Sequence, residues 1–328
     1  VLLPVRNGED HLREAIVSLQ AQTDPDYEVL AVDDGSTDGT RDLLAEWARD
    51  DDRVKILDQP PLGIVTALER ARARARGTYL ARMDADDVCD PSRFGRQRAL
   101  LEDTPGLAGC GAQVRYVPRK GLRGGARRYE AWLNSSATPG QVALQMFVEC
   151  PLAHPTFFLR SGEVARVGGY RDMGWPEDYD LVLRLWGAGA GLANVPEVLL
   201  HWRERPDRLS RTHGAYAPGA FVACKVHHLR KTLLAGRSVA VWGAGPVGKT
   251  FARALQDAGT EVRAFVEVNP RKIGQEIHGA PVLDTTGGLA LRGVVHLAAV
   301  GQPGGRRQLR ETLSGAGLRE LADFVAVA

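Results

Sequence analysis

The chain has little cysteine, little lysine and no long hydrophobic run. Its 328 residues include four cysteines, at positions 89, 110, 150 and 224, and none is spaced as CxxC. Neither a zinc site nor a redox pair is therefore indicated, and a reduced, cytosolic protein is expected. Lysine supplies six of the 42 basic residues, a bias that carries no functional reading. Formal net charge is only +2. Residues 1–235 hold 31 basic and 32 acidic side chains, and residues 236–328 hold 11 and 8. Neither part has the basic excess of a nucleic-acid binder. No apolar run reaches the roughly 18 residues that a membrane span needs. No signal peptide is evident, yet the chain opens on Val1 and the run Val1–Val5 already reads as a strand. The natural N-terminus is expected upstream.

What is present points to a folded α/β protein. Hydrophobic content is 44%, enough for real cores, and the length suits one large or two ordinary domains. Strand signals fall at Val1–Val5, Tyr27–Val32, Val54–Leu57 and Thr78–Met83. Helix signals alternate with them at His11–Gln22, Thr40–Asp50 and Ile64–Arg76, the last ended by Gly77. This order predicts a parallel sheet with helices on both faces. Residues 105–150 are less regular, and Gly121–Arg128, rich in Gly and Arg, predicts a mobile loop. Thr156–Leu159 reads as a strand and Tyr179–Gly187 as a helix. Composition shifts at Leu234-Ala235-Gly236, and a new strand–turn–helix–strand unit begins at Arg237. Two domains are expected, 1–235 and 236–328.

In parallel α/β sheets, ligands bind outside the carboxyl ends of the strands. Along that edge the first strand ends in Pro4-Val5-Arg6-Asn7, with Glu9 following. The second ends in Asp33-Asp34-Gly35-Ser36, and the fourth in Asp84-Ala85-Asp86-Asp87. Acceptors converging on one rim suit ribose hydroxyls, a base N–H and a hard divalent cation such as Mg²⁺ or Mn²⁺. A lone DxD reads more simply as turn formers and caps. Three acidic strand ends together favour the ligand site.

PVRNGEDHLREAIVSLQAQT, VDDGSTDGT, GTYLARMDADD with a following Pro-Ser-Arg, and PEDYDLVLRLWGAG resemble the family 2 glycosyltransferases. The resemblance covers roughly residues 1–212, with the motifs in the family's order. It implies the GT-A nucleotide-diphospho-sugar transferase fold and a nucleotide-sugar donor, with UDP expected. It also implies that Pro4, Val5, Arg6, Glu9 and Asp34 hold the nucleotide. Asp84 would meet the ribose and Asp86 would ligate the metal, with Asp87 supporting or capping. His154, in Ala-His-Pro, matches a His-Pro of the family that borders the site, though a structural His is equally open.

Sugar transfer needs the leaving diphosphate neutralised and the acceptor hydroxyl deprotonated. Gly174–Asp180 supplies carboxylates beside aromatics, where a carboxyl pKa can rise. By resemblance the acidic pair is Glu177-Asp178, and Asp178 is the expected base of an inverting displacement. First-turn acids are also favoured by a helix dipole, and both roles can hold together. Trp175 is a candidate for stacking on a sugar, or a core residue. Arg184 reads as a salt-bridge former.

His201–Pro206 resembles the family's Tyr-Arg-x-His-Pro segment near the diphosphate. Trp202 stands where the family has Tyr, and Arg205 where it has His. Arg203 and Arg205 are thus candidates for the diphosphate or acceptor. An Arg cannot ligate a metal but can pair with phosphate. His213 is the substitute candidate for a protein metal ligand. The alternating Arg70, Arg72, Arg74 and Arg76 fan around a helix and read as a solvated face.

In the C-terminal part, Gly243, Gly245 and Gly248 form GxGxxG between a strand and a helix, with Glu267 nineteen residues on. That spacing suits an acid on a ribose hydroxyl. GAGPVGKT also satisfies the P-loop pattern, but no downstream strand ends in an obvious Mg²⁺-holding Asp. The stretch is similar to the N-terminal Rossmann-like domain of bacterial sugar-acyltransferases, which implies a second nucleotide or an assembly role.

The expectation is a metal-dependent, inverting glycosyltransferase with an appended Rossmann-like domain, working in bacterial surface polysaccharide or glycan synthesis. Its acceptor would be a glycan, a lipid-linked sugar or a small molecule, without nucleic acid and without a membrane span. It would be cytoplasmic, with peripheral attachment at the inner membrane face and homo-oligomerisation both allowed. The rivals are an NAD-dependent oxidoreductase centred on Gly243–Glu267 and a non-catalytic nucleotide-sugar-binding protein.

Overall fold

Val29–Asp34 begins with four consecutive apolar residues, as a strand covered on both faces requires, and all six of its residues are buried. A computed structural model describes residues 1–302 and 304–328. They form two units. The first comprises Val1–Ala143, Pro151–Met173 and Asp180–Thr212; the second comprises Leu144–Cys150, Gly174–Tyr179 and His213–Ala328.

The strands of the first unit are β1 (Leu2–Val5), β2 (Val29–Asp34), β3 (Val54–Gln59), β4 (Tyr79–Ala81), β5 (Val88–Cys89), β6 (Leu107–Val117), β7 (Phe158–Arg160) and β8 (Gly191–Arg203). β1, β2 and β3 pair in parallel, joined by the helices Leu12–Gln20 and Thr40–Asp50. A parallel bridge between Leu2 and Arg82 carries this sheet on to the β4 segment. The predicted parallel order therefore holds for the first half. Beyond it the sheet is mixed: β7 runs antiparallel to β4 and to β6, β6 is parallel to β8, and β5 is antiparallel to β8.

Three expectations need correction. Gly121–Arg128, read as a mobile loop, contains the start of a helix, Gly124–Leu133. Past the two glycines its Leu133 is buried, and Glu130 accepts a hydrogen bond from the Tyr116 backbone at 2.6 Å. The helix Ile64–Arg72 stops four residues before its expected end. The irregular stretch after 105 holds β6, an eleven-residue strand. Its sequence lacks alternation because close packing demands small residues. A Cβ on Gly109 would lie 2.2 Å from Leu159, and one on Gly111 would lie 2.4 Å from Asn194.

The second unit contains β9 (Ser238–Trp242), β10 (Val262–Val266), β11 (Glu276–Ile277), β12 (Ala280–Leu283), β13 (Val294–Ala298) and β14 (Phe324–Ala326), in the order β11-β12-β10-β9-β13-β14. All pairs are parallel except β11 with β12. This is a Rossmann-like sheet whose strand order reverses between β9 and β13. The sheet starts where the composition shifts; the long continuous segment of the compact unit begins earlier, at His213, and two shorter segments precede it. Within the unit, buried Lys225 on the helix Pro218–Leu229 donates to the carbonyls of Val148 (2.6 Å) and Val327 (3.2 Å). Among the described residues no helix is long and apolar enough to cross a membrane.

Candidate active site

The loops after β1 and β2 are laced together. Asn7, held at a left-handed φ of 50°, donates its backbone N–H to Ser36 Oγ (3.0 Å) and accepts from the Thr37 N–H (2.9 Å). The Gly8 N–H donates to Thr40 Oγ1 at 2.7 Å. Glu9 accepts from the Gly39 N–H at 2.9 Å, at the N-terminus of the helix Thr40–Asp50, where a carboxylate is favoured. Pro4 and Val5 end β1 beside Val32 and Asp33, and Arg6 is exposed at its tip. The structure thus brings the first two strand ends together.

Asp34 is buried, and its carboxylate already holds the loop after β3. It accepts from Gln59 Nε2 (2.7 Å) and from the backbone N–H groups of Leu62 (2.8 Å) and Gly63 (3.0 Å). The register that sets Asp34 against Gln59 explains the pairing.

Asp84, Asp86 and Asp87 each present a carboxylate oxygen within 4.8 Å of the others. Asp84 meets Arg82 at 2.5 Å. Asp86 meets Arg205 at 3.1 Å. Asp87 is buried; one oxygen accepts from the Arg203 N–H at 2.8 Å, and the other, Oδ2, has no hydrogen-bond partner. Burial and the neighbouring Asp84 push the Asp86 carboxyl up, while Arg205 and Arg208 pull it back. Burial, then Asp84 and Asp86, hold Asp87 well above the ordinary carboxylate range. Carboxyl groups perturbed in this way cluster at functional sites.

The cluster sits in a cationic frame that the sequence only partly disclosed. Arg203 extends β8, donating to the Asp86 carbonyl (2.8 Å) and to Glu14 (2.8 Å). Arg208 lies over the Trp202 ring at 4.3 Å, and that ring stacks on Tyr116 at 5.1 Å. Arg93, from the Pro-Ser-Arg that follows the acidic motif, is fully buried and donates to the Arg82 carbonyl at 2.7 Å. Sequence reasoning quoted Arg82 and Arg93 within the motifs but gave them no role, and it did not single out Arg208. Position immediately before Met83-Asp84 was the available signal for Arg82. His154 is buried against Tyr170, with Nε2 3.3 Å from its hydroxyl. Burial, then the charge of Arg82, keeps its pKa well below 6.5, so it stays neutral at pH 7. Arg184 pairs with Asp180 at 2.7 Å, the salt bridge expected of it.

The acidic pair opens the helix Glu177–Gly187, whose first three residues belong to the second unit and the rest to the first. Glu177 is buried and accepts from the Tyr216 hydroxyl at 2.6 Å. Asp178 is half-buried, and its Oδ1 accepts from the Tyr179 N–H at 2.7 Å. Trp175 packs against His227, ring centres 5.1 Å apart. His213 accepts from the Ala215 N–H at 3.3 Å, capping a short turn.

A cleft of about 680 Å³ opens at the carboxyl ends of β9, β10 and β13, lined by Gly243, Gly245, Glu267, Lys272 and Gln302 among others. A Cβ on Gly248 would lie 1.8 Å from the Gly243 carbonyl, which is why the turn needs glycine there. Glu267 lines the cleft, but Oε2 accepts from Ala244 N–H (3.2 Å) and Lys272 (3.0 Å), and Oε1 from Val268 N–H (2.9 Å). Burial raises its pKa, but Lys272 and the backbone donors hold it below the ordinary value. In this state it braces the glycine turn.

The family "Glycosyl transferase family 2" matches residues 1–166, and "CoA binding domain" matches residues 236–290. The putative glycosyltransferase EpsE of Bacillus subtilis (strain 168) is 31% identical over 222 residues, 66% of this chain and 77% of that protein. S. aureus TarS 1-349, solved in complex with UDP-GlcNAc, aligns with TM-score 0.55 and 15% identity over 70% of this chain and 65% of that one. The mannosyltransferase PcManGT from Pyrobaculum calidifontis, solved with GDP-Man and Mn²⁺, aligns with TM-score 0.51 and 18% identity, over 97% and 79%. The fold is a GT-A transferase fold followed by a Rossmann-like sheet. The chain belongs to glycosyl transferase family 2 and is a glycosyltransferase.

Proposed function

We propose that the protein is a metal-dependent, inverting transferase that moves a sugar from a nucleotide-sugar, UDP-linked in the first instance, to a hydroxyl acceptor. The observation that carries this reading is the triad Asp84, Asp86 and Asp87, three oxygen donors within 4.8 Å at the strand edge where ligands gather. The partnerless Asp87 Oδ2 is the kind of buried acceptor that a ligand satisfies. An all-oxygen donor set fits Mg²⁺ or Mn²⁺, with Asp86 as ligand and Asp84 beside the ribose. When bound, such a cation would stabilise negative charge on the departing diphosphate.

The remaining chemistry falls to side chains. The β1 loop of Pro4, Val5, Arg6 and Glu9 is assigned to the nucleotide; Asp34 is assigned there by its motif, and its carboxylate would reach the nucleotide by exchanging one of its bonds to Gln59, Leu62 or Gly63. Arg205 is the proposed cation for the diphosphate, with Arg203 a second candidate that is already engaged by the Asp86 carbonyl and Glu14. Asp178, with Glu177 beside it, is the proposed base on the strength of the motif. It accepts the acceptor's hydroxyl proton as the new C1–O bond forms. The old C1–O bond breaks with its electron pair leaving on the diphosphate, and attack from the opposite face inverts C1. Trp175 and His154 are secondary candidates for contacts with sugar.

Residues 1–235 are proposed as the transferase domain and 236–328 as the appended domain, with its cleft the place for a second nucleotide. Glu267's full set of protein partners weighs against an NAD-type ribose contact there. Surface polysaccharide synthesis on the cytoplasmic side, with an acceptor presented at the membrane, accords with this reading. Calorimetry of UDP with Mn²⁺ tests it. Asp86→Asn is expected to lose metal-dependent UDP binding; equal Mn²⁺-dependent binding by that variant sinks the proposal.

A further inference from the structure

The cations around the acidic triad are not equivalent. Arg82 has a buried side chain and meets Asp84 at 2.5 Å. Arg208 is fixed by its stack on Trp202. Arg203 is committed to the Asp86 carbonyl and to Glu14. Arg205 is held more loosely. Its Nε lies 3.1 Å from Asp86 Oδ2, but the contact lacks hydrogen-bond geometry, and one-third of its side chain is exposed. The same nitrogen lies 3.7 Å from Asp207 Oδ1, a second, exposed carboxylate. Arg205 is therefore an ion-pair partner of the residue assigned to the metal, on a side chain able to leave.

Charge balance sharpens the point. Against the three carboxylates stand Arg82, paired with Asp84, Arg205, paired with Asp86, and the charge of Arg208 acting on Asp86 and Asp87, so the formal charge of the donor-free cluster is already close to zero. A divalent cation alone would bring uncompensated positive charge into a partly buried site, which is unfavourable. A cation arriving with a diphosphate would not.

We infer that Arg205 is an internal counter-ion and positioning residue. In the donor-free protein it neutralises Asp86; when donor binds it turns to the diphosphate and releases Asp86. Guanidinium suits both partners, since carboxylate and phosphate oxygens match its donor fork. The consequence is coupling. Mn²⁺ and nucleotide each bind weakly alone and strengthen one another, by reciprocal amounts. The inference rests on the metal-dependent reading above.

The test compares wild type with Arg205→Gln and Arg205→Lys. Donor-free Mn²⁺ binding is read from the EPR signal of free Mn²⁺, and UDP binding by calorimetry with and without Mn²⁺. Removing one partly exposed ion pair is expected to tighten donor-free Mn²⁺ binding about fivefold in Arg205→Gln. The same variant should bind UDP with Mn²⁺ more weakly, so the coupling shrinks. Arg205→Lys, which keeps the charge, should retain the weak donor-free affinity. Unchanged or weaker donor-free Mn²⁺ binding in Arg205→Gln, while wild type binds Mn²⁺ with UDP, overturns the inference. So does an Arg205→Lys protein that behaves like Arg205→Gln. If wild type binds no Mn²⁺ even with UDP, the metal-dependent reading itself fails.

Discussion

Asp87→Asn should make the metal-free protein more stable while weakening its use of metal. Asp87 is buried, one oxygen accepts from the Arg203 N–H, and the other has no hydrogen-bond partner. Its carboxylate oxygens and those of Asp84 and Asp86 come within 4.8 Å. Two unit charges at that distance repel by about 3 kcal/mol at an effective dielectric constant of about 20. Asparagine removes two such repulsions and the desolvation of one charge. It also removes the attraction to Arg208, which is weaker than either repulsion, so the expected net change is a gain on the order of one such repulsion, about 3 kcal/mol. The Arg203 contact survives on the amide oxygen, and an NH₂ among carboxylates is a donor among acceptors. The sign with pH follows from linkage. Because the folded-state pKa lies above the unfolded value, wild type is most stable below the unfolded value. It loses that stability as pH rises through the raised one. Urea denaturation in EDTA at pH 8 and pH 5 should therefore show a gap favouring the variant that is wide at pH 8 and narrows at pH 5. Added Mn²⁺ and UDP should stabilise wild type more than the variant. A variant no more stable than wild type at pH 8 would refute the claim that this cluster is strained in the absence of ligand.

Two further outcomes are expected. Asp178→Asn should lower kcat by about 10²- to 10⁴-fold, the usual contribution of a general base, with UDP affinity unchanged; retained turnover rules Asp178 out. Burial, opposed by Glu149, lowers the Lys225 pKa from 10.5 to about 8, so the folded state sheds this proton first. Stability from this group is full above pH 10.5 and is lost as pH falls through about 8, a span of about 3 kcal/mol. Lys225→Met should flatten that rise in chemical denaturation; an unaltered slope counts against it.

The parallel half of the first sheet and the β9–helix–β10 turn were legible because each strand or helix carried its own periodicity and its own glycine. β6 and β8 were not. Gly109 and Gly111 are small because Leu159 and Asn194 press against them, and those neighbours come from distant parts of the chain. The helix Gly124–Leu133 was hidden behind two glycines whose low propensity is overridden by burial of Leu133. In the candidate site, the acidic residues announced themselves by type and spacing. Arg93 did not, since a buried guanidinium reads in sequence like any surface one.

Residue chemistry and motif order thus determined by themselves the family, the acidic triad and the glycine turn, because those depend on local spacing that sequence preserves. Only the tertiary structure decided which cation meets which carboxylate. Arg205 stands 119 residues from Asp86 in the chain, and the β5–β8 pairing of Val88 with His201 sets the two segments side by side. It also decided that Asp34 and Glu267 spend their oxygens on protein donors. Hydrogen-bond saturation depends on which backbone N–H groups are folded into reach, and no local pattern encodes that.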